Sequence, residues 1–153
     1  MLPLMLKTTL FSGIVEDRVK EICAFSQLVT YPQGAQAIVE GDARQHLDLL
    51  LLVEGEVDVE TRFSSLPTAM EFNLHAISNE LFGEVAWILG GKRTASVKCK
   101  NTCKFIRIDG SKLYAYCQAN PAMGVVLMTR IAAVMAQRVV HLSEQLKNKT
   151  LFS

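Results

Sequence analysis

A mainly β fold, a jelly roll flanked by helices, is predicted by three features of this chain. Between residues 29 and 110, short apolar or alternating runs are punctuated by turn residues. Helical periodicity borders that region on both sides, over 10–28 and 111–147. The 153 residues are 50% hydrophobic, enough for one domain with its own core.

The first helix is read over "LFSGIVEDRVKEICAFSQL", residues 10–28. Val15, Val19 and Ile22 recur at spacings of four and three and give one apolar face, with Leu10 and Phe11 as a lead-in packed beside it. The texture then changes. "LVTYP", "QAIVEG", "LDLLLLVEG", "EVDVETRF", "NLHAIS", "TASVKC" and "CKFIRID" read as strands. Pro32, Gly34, Gly41-Asp42 and Glu54-Gly55 supply the turns. "VDVET" alternates as a strand with one wet face does, and Ser64–Ala69, with Pro67, reads as a loop.

From 111 the pattern is helical again. "SKLYAYCQANP" is a short helix that Pro121 ends or kinks. A long helix follows, with Met128, Ala132, Met135, Val139, Leu142 and Leu146 alternating by four and three. That seam fits either the chain's own roll or a second copy. The helix is long for a small roll to cover, which favours a homodimer. One domain over 10–147 results, with the roll at 29–110 and the C-terminal helices at 111–147.

The formal net charge is +1, so no long-range field selects nucleic acid or an anionic membrane. Cys23, Cys99, Cys103 and Cys117 and the scattered His46, His75 and His141 lack the spacing of a zinc site. The cysteines read as core or half-buried residues. "MLPLMLKTTLF" has no basic leader and no cleavage site, and LDLLLLV, 47–53, is too short to span a bilayer. A cytoplasmic protein without membrane or metal is expected.

One stretch stands apart. "FGEVAWILGGKRTASV", 82–97, carries Glu84 and Arg93 in otherwise apolar surroundings. Gly83 allows close backbone approach. "EVAWIL" reads as a short helix, and Gly90-Gly91 release the chain into a strand near Arg93. Amides at a helix start and a guanidinium fork suit one phosphate. Glu84 suits a hydroxyl donor such as a ribose. Thr94 and Ser96 offer hydroxyls, and strand alternation places Arg93 with Ala95 on one face. The same residues also fit an internal ion pair between Glu84 and Arg93 beside an ordinary glycine turn. No nucleophile triad or P-loop lysine competes with either reading.

The stretch resembles the phosphate-binding cassette of the cyclic nucleotide-binding domain family: F-G-E, a short helix, then R-[TS]-A-[ST]-V. Here the matching residues are Phe82-Gly83-Glu84 and Arg93-Thr94-Ala95-Ser96-Val97. "LFSGI", Gly34, Gly41-Asp42, "VEGEVDV" and Asn120-Pro121 match the family's other markers, so the resemblance spans roughly 10–147. It implies an eight-stranded jelly roll with an N-terminal helix, the cassette helix and C-terminal helices. It implies that Gly83 offers an amide and that Glu84 accepts from the ribose 2′-hydroxyl. Arg93 would pair with the cyclic phosphate, Thr94 would contact phosphate or base, the amide of Ala86 or its neighbour would help hold the phosphate, and Val85 and Ala95 belong to the same binding set. Ser143 lies near where catabolite activators place polar contacts to adenine.

Thr94 is associated with cGMP in this family, but pacemaker channels with a similar R-T-A-S-V run respond mainly to cAMP. cAMP is therefore favoured over cGMP. Two departures stand out. Asn79 replaces a family glycine before the cassette, and no helix-turn-helix follows the long helix. The expected function is a regulatory sensor, not an enzyme, that passes ligand state through its last helix to a dimer mate or an effector protein. The alternative is a scaffold subunit whose cassette is held internally, with Arg93 paired to Glu84 or Glu80. A cupin-like enzyme would need a metal cluster that His46 and His75 do not make.

Overall fold

The computed structural model describes residues 1–41, 47–62, 71–77 and 81–151, and side chains outside 61–62, 71–77 and 149–151. Asp42, His46, the loop at 64–69, Asn79 and Glu80 lie outside the described residues.

Helical structure starts earlier than the periodicity suggests. α1 is Leu2–Lys7 and α2 is Glu16–Cys23, so the single helix expected over 10–28 is two short ones. Pro3 stands in the first turn of α1, where its missing N–H costs nothing. Gly13, at φ 75°, lies in the turn between them. Met5, Phe11, Val19 and Ile22 are all fully buried. The apolar lead-in is therefore part of the core, and β1 begins at Ser26, inside the segment expected to be helical.

The strands follow as β1 Ser26–Tyr31, β2 Gln36–Ile38, β3 Leu49–Glu54, β4 Glu56–Arg62, β5 Glu71–Ile77, β6 Leu81–Phe82, β7 Ser96–Cys99 and β8 Cys103–Ile108. Among the described residues they form two antiparallel four-stranded sheets, ordered β1-β8-β3-β6 and β2-β7-β4-β5. Neighbours in each sheet are mostly distant in sequence, which gives a jelly-roll-like domain. The short strand β6 was not among the runs read as strands. The segment read as a strand from Thr94 forms one only from Ser96.

Both faces of β3 are covered, which explains its continuous apolar run. Leu49 and Leu51 face the helices, with Ile106 and Ile108 of β8. Leu50 and Leu52 face the interior of the roll, with Phe82, Val97 and Phe105. Period-two alternation sorts the strand into two cores.

After β8, α3 having intervened at Glu84–Leu89, come α4 Gly110–Ala119 and α5 Pro121–Leu151. Asp109 caps α4 by accepting from the Lys112 amide at 3.0 Å. Pro121 opens α5 rather than merely ending α4. By length and composition α5 could cross a bilayer. Here its Leu127 and Ile131 are fully buried in the helix-side core. Arg130 donates to the carbonyls of Thr9, Leu10 and Ser12 at 3.3, 3.0 and 2.7 Å.

Candidate functional site

The cassette forms one wall of a cavity of about 230 Å³. Its floor is set by Gly83, which is left-handed at φ 89° and precedes the first residue of α3. A Cβ there would sit 2.4 Å from Arg93 Nη1 and 2.8 Å from the Asp48 carbonyl oxygen. The position needs glycine twice over, for its φ and for the guanidinium lying on it. Arg93 Nη1 donates to the Gly83 carbonyl at 3.2 Å and Nη2 to the Asp48 carbonyl at 2.8 Å. Asp48 is itself held, its carboxylate 3.8 Å from Arg107 Nε, while Arg107 bonds to the Tyr31 hydroxyl.

Arg93, Thr94 and Ala95 precede β7 in irregular backbone, and all three line the cavity. Strand alternation therefore does not divide them. The Arg93 carbonyl accepts from the Gly41 amide at 2.8 Å, and Ser96 Oγ accepts from the Glu40 amide at 2.9 Å. These bonds pin the segment to the end of β2. The first turn of α3 leaves amides without intrahelical partners, and Gly83, Glu84, Val85 and Ala86 border the same space.

Glu84 is 3% exposed. A buried carboxylate needs a partner, and it has one that the sequence reading missed. Arg138 of α5 pairs with Glu84 Oε1 and also donates to the Leu81 carbonyl. Its guanidinium lies 5.0 Å from the centre of the Phe82 ring, a cation–π contact. In place of the alternative reading, an internal pair of Glu84 with Arg93, Glu84 pairs the cassette with the last helix. Glu80, the other proposed partner of Arg93, lies outside the described residues.

The far wall comes from α5, through Met135, Arg138, Val139 and Leu142, and from Ile38, Val59 and Val97 of the roll. Ser143 is not brought to the cavity. It is exposed, and its hydroxyl donates to the Val139 carbonyl one turn back at 2.9 Å. The seam along α5 is also divided. Met135 and Leu142 line the cavity, Val139 borders it while 62% exposed, and Met128 and Leu146 lie away from it at 38% and 46% exposed. An α-helix advances 3.6 residues per turn, so a seven-residue stripe drifts around it unless a supercoil corrects it.

Behind the cassette, Trp87 Nε1 donates to the Gly110 carbonyl at 2.7 Å and ties α3 to the start of α4. Gly110 admits that approach: a Cβ there would lie 2.8 Å from Trp87 Cδ1, and 2.0 Å from the Leu47 carbonyl oxygen.

No protein-family model matches the chain. Solved structures do. A cyclic nucleotide-binding domain from Methylobacillus flagellatus superposes with a TM-score of 0.78 at 23% identity, covering 97% of this chain and 81% of that one. The regulatory domain of Toxoplasma gondii PKA, solved with cAMP, gives 0.69 at 14% identity, covering 92% and 48%. Potassium channel AKT1 of Oryza sativa is 20% identical over 142 residues, 93% of this chain. The chain spans only 14% of the length of the curated plant channels it matches. The fold is that of the cyclic nucleotide-binding domains.

Proposed function

We propose that this chain is a regulatory module that binds a cyclic nucleotide between the cassette and α5. One observation carries the reading: Arg93, seated on Gly83, shares a cavity with the first turn of α3 and with Glu84. The guanidinium and the α3 amides suit the cyclic phosphate. Glu84 accepts from a ribose hydroxyl, with Val85, Ala86, Thr94 and Ala95 bordering the ligand. cAMP, the ligand in the Toxoplasma structure, is the nucleotide to test before cGMP. No reaction step is assigned: the module is a binder rather than an enzyme.

Ligand state reaches α5 through Arg138, which shares Glu84 with the ribose. Coupling of this kind requires different affinities in two states. The output passes to an effector protein or to a second copy. Val125, Met128, Ala132, Ala136, Val139 and Leu146 form an exposed, mostly apolar stripe along α5, which suits a homodimer. Met128→Glu with Leu146→Asp leaves the cavity wall intact and should yield monomers in light scattering; a persisting dimer would relocate the interface. The module is taken as cytoplasmic, without nucleic acid or membrane.

Calorimetric titration with cAMP tests the site. Arg93→Ala should weaken binding by more than about a hundredfold, two charge-assisted bonds being worth about 1.5–3 kcal/mol each. Unchanged affinity would remove Arg93 from the site. A second reading rests on the Glu84–Arg138 pair, which satisfies the cassette internally. A scaffold subunit would keep that pair and give no heat with any cyclic nucleotide.

A further inference from the structure

The proposed phosphate and ribose groups sit at one side of the cavity, on Gly83, Glu84 and Arg93. The space left for a base is walled by Ile38, Val59, Val97, Met135, Val139 and Leu142. Among the described residues, those six side chains carry no strong hydrogen-bond donor or acceptor, and the hydroxyl of Thr94, which also lines the cavity, directly follows Arg93 on the phosphate side. Ser143, the nearby hydroxyl on α5, is turned to the Val139 carbonyl and does not line the cavity. Arg138 lines it, but its guanidinium is bonded to Glu84 and Leu81 and stacked on Phe82.

Resting on the cyclic nucleotide reading, we propose that this site accepts 3′,5′-cyclic purine nucleotides with little regard to the polar edge of the base. Adenine, guanine and hypoxanthine offer nearly the same ring area to an apolar wall. They differ in the donors and acceptors at positions 1, 2 and 6. Strong rejection of one base requires a polar group left unpaired by the wrong base, while apolar pockets discriminate weakly. The apolar wall supplies contact area and no such penalty. Affinity then comes from the phosphate and ribose groups, which all three ligands share.

The experiment is a calorimetric titration of the full chain with cAMP, cGMP and cIMP, repeated on Leu142→Thr. The three dissociation constants should lie within about tenfold of one another, the low end of discrimination by apolar contact, because the three bases offer nearly the same ring area. A spread beyond tenfold would overturn the inference and leave the binding site standing. Absence of binding by all three would overturn the reading beneath it as well. Leu142→Thr puts a hydroxyl into the wall and should shift the cAMP to cGMP ratio by about fivefold, one neutral hydrogen bond. If the ratio stays fixed while all three still bind, the base does not lie against that wall.

Discussion

The two halves of α5 are held by different physics. Leu127 and Ile131 are fully buried, and Arg130 between them donates to three carbonyls of the turn after α1. Beyond Arg138, every residue from 139 to 148 is exposed or half-buried. The first half is anchored by packing in a closed core. The second lies over the cavity, bridged to the cassette by a charged pair. Packing of the first kind is insensitive to a ligand. Under the proposed nucleotide reading a charged pair is not, because the ligand would share Glu84 with Arg138. The helix therefore has a buried root and a more exposed end, and the proposed coupling acts on that end.

Substitutions can test this contrast from the largest effect down. Ile131→Ala leaves a cavity in the anchored half and should cost about 4 kcal/mol in urea denaturation. A loss below about 1 kcal/mol would mean that the root is not anchored there. Arg138→Ala strands the Glu84 carboxylate, whose side chain is only 4% exposed, and should cost about 3 kcal/mol without ligand. Adding Glu84→Gln to that variant should recover part of the loss, since no buried charge is left unpaired. Additive losses would show that the pair contributes little by itself. Arg130→Ala should cost about 1–2 kcal/mol, as its carbonyl partners lie near solvent. Leu146→Ala, in the more exposed end, should stay within about 0.5 kcal/mol in dilute protein.

A control lies away from α5. Burial pushes the Cys99 thiol up from its usual 9.0 to about 12, with Cys103 beside it. The folded state holds this proton more tightly than the unfolded chain. Its contribution to stability is full below pH about 9 and is lost as pH rises toward 12. Denaturation midpoints should fall across that window by the same amount in wild type and in the α5 variants. A larger fall in an α5 variant would couple the roll interior to the helix.

Much of this was legible in the residues. Alternation and glycine turns marked most of the strands, and the run from Phe82 to Val97 marked the cassette. What escaped notice has physical reasons. β6 is two residues long, too short to show a period. α1 is a six-residue helix within an apolar stretch, and its signal was Pro3 at the start. Arg138 lies 54 residues from Glu84, beyond any local pattern. Its trace was a charge on the apolar stripe, three residues after Met135 and four before Leu142. A charge so placed must find a partner inside. Ser143 sits one position past the cavity-facing stripe, a rotation that spacing along the chain does not resolve.

Trp87 is the chain's single tryptophan, and its indole joins the cassette helix to the head of α4. Its emission therefore comes from one place, 2.7 Å from the Gly110 carbonyl, with Tyr114 at an edge-on 6.4 Å. The protein carries its own optical gauge. Any movement of α3 against α4 will change the colour or the yield of that light, with no label attached.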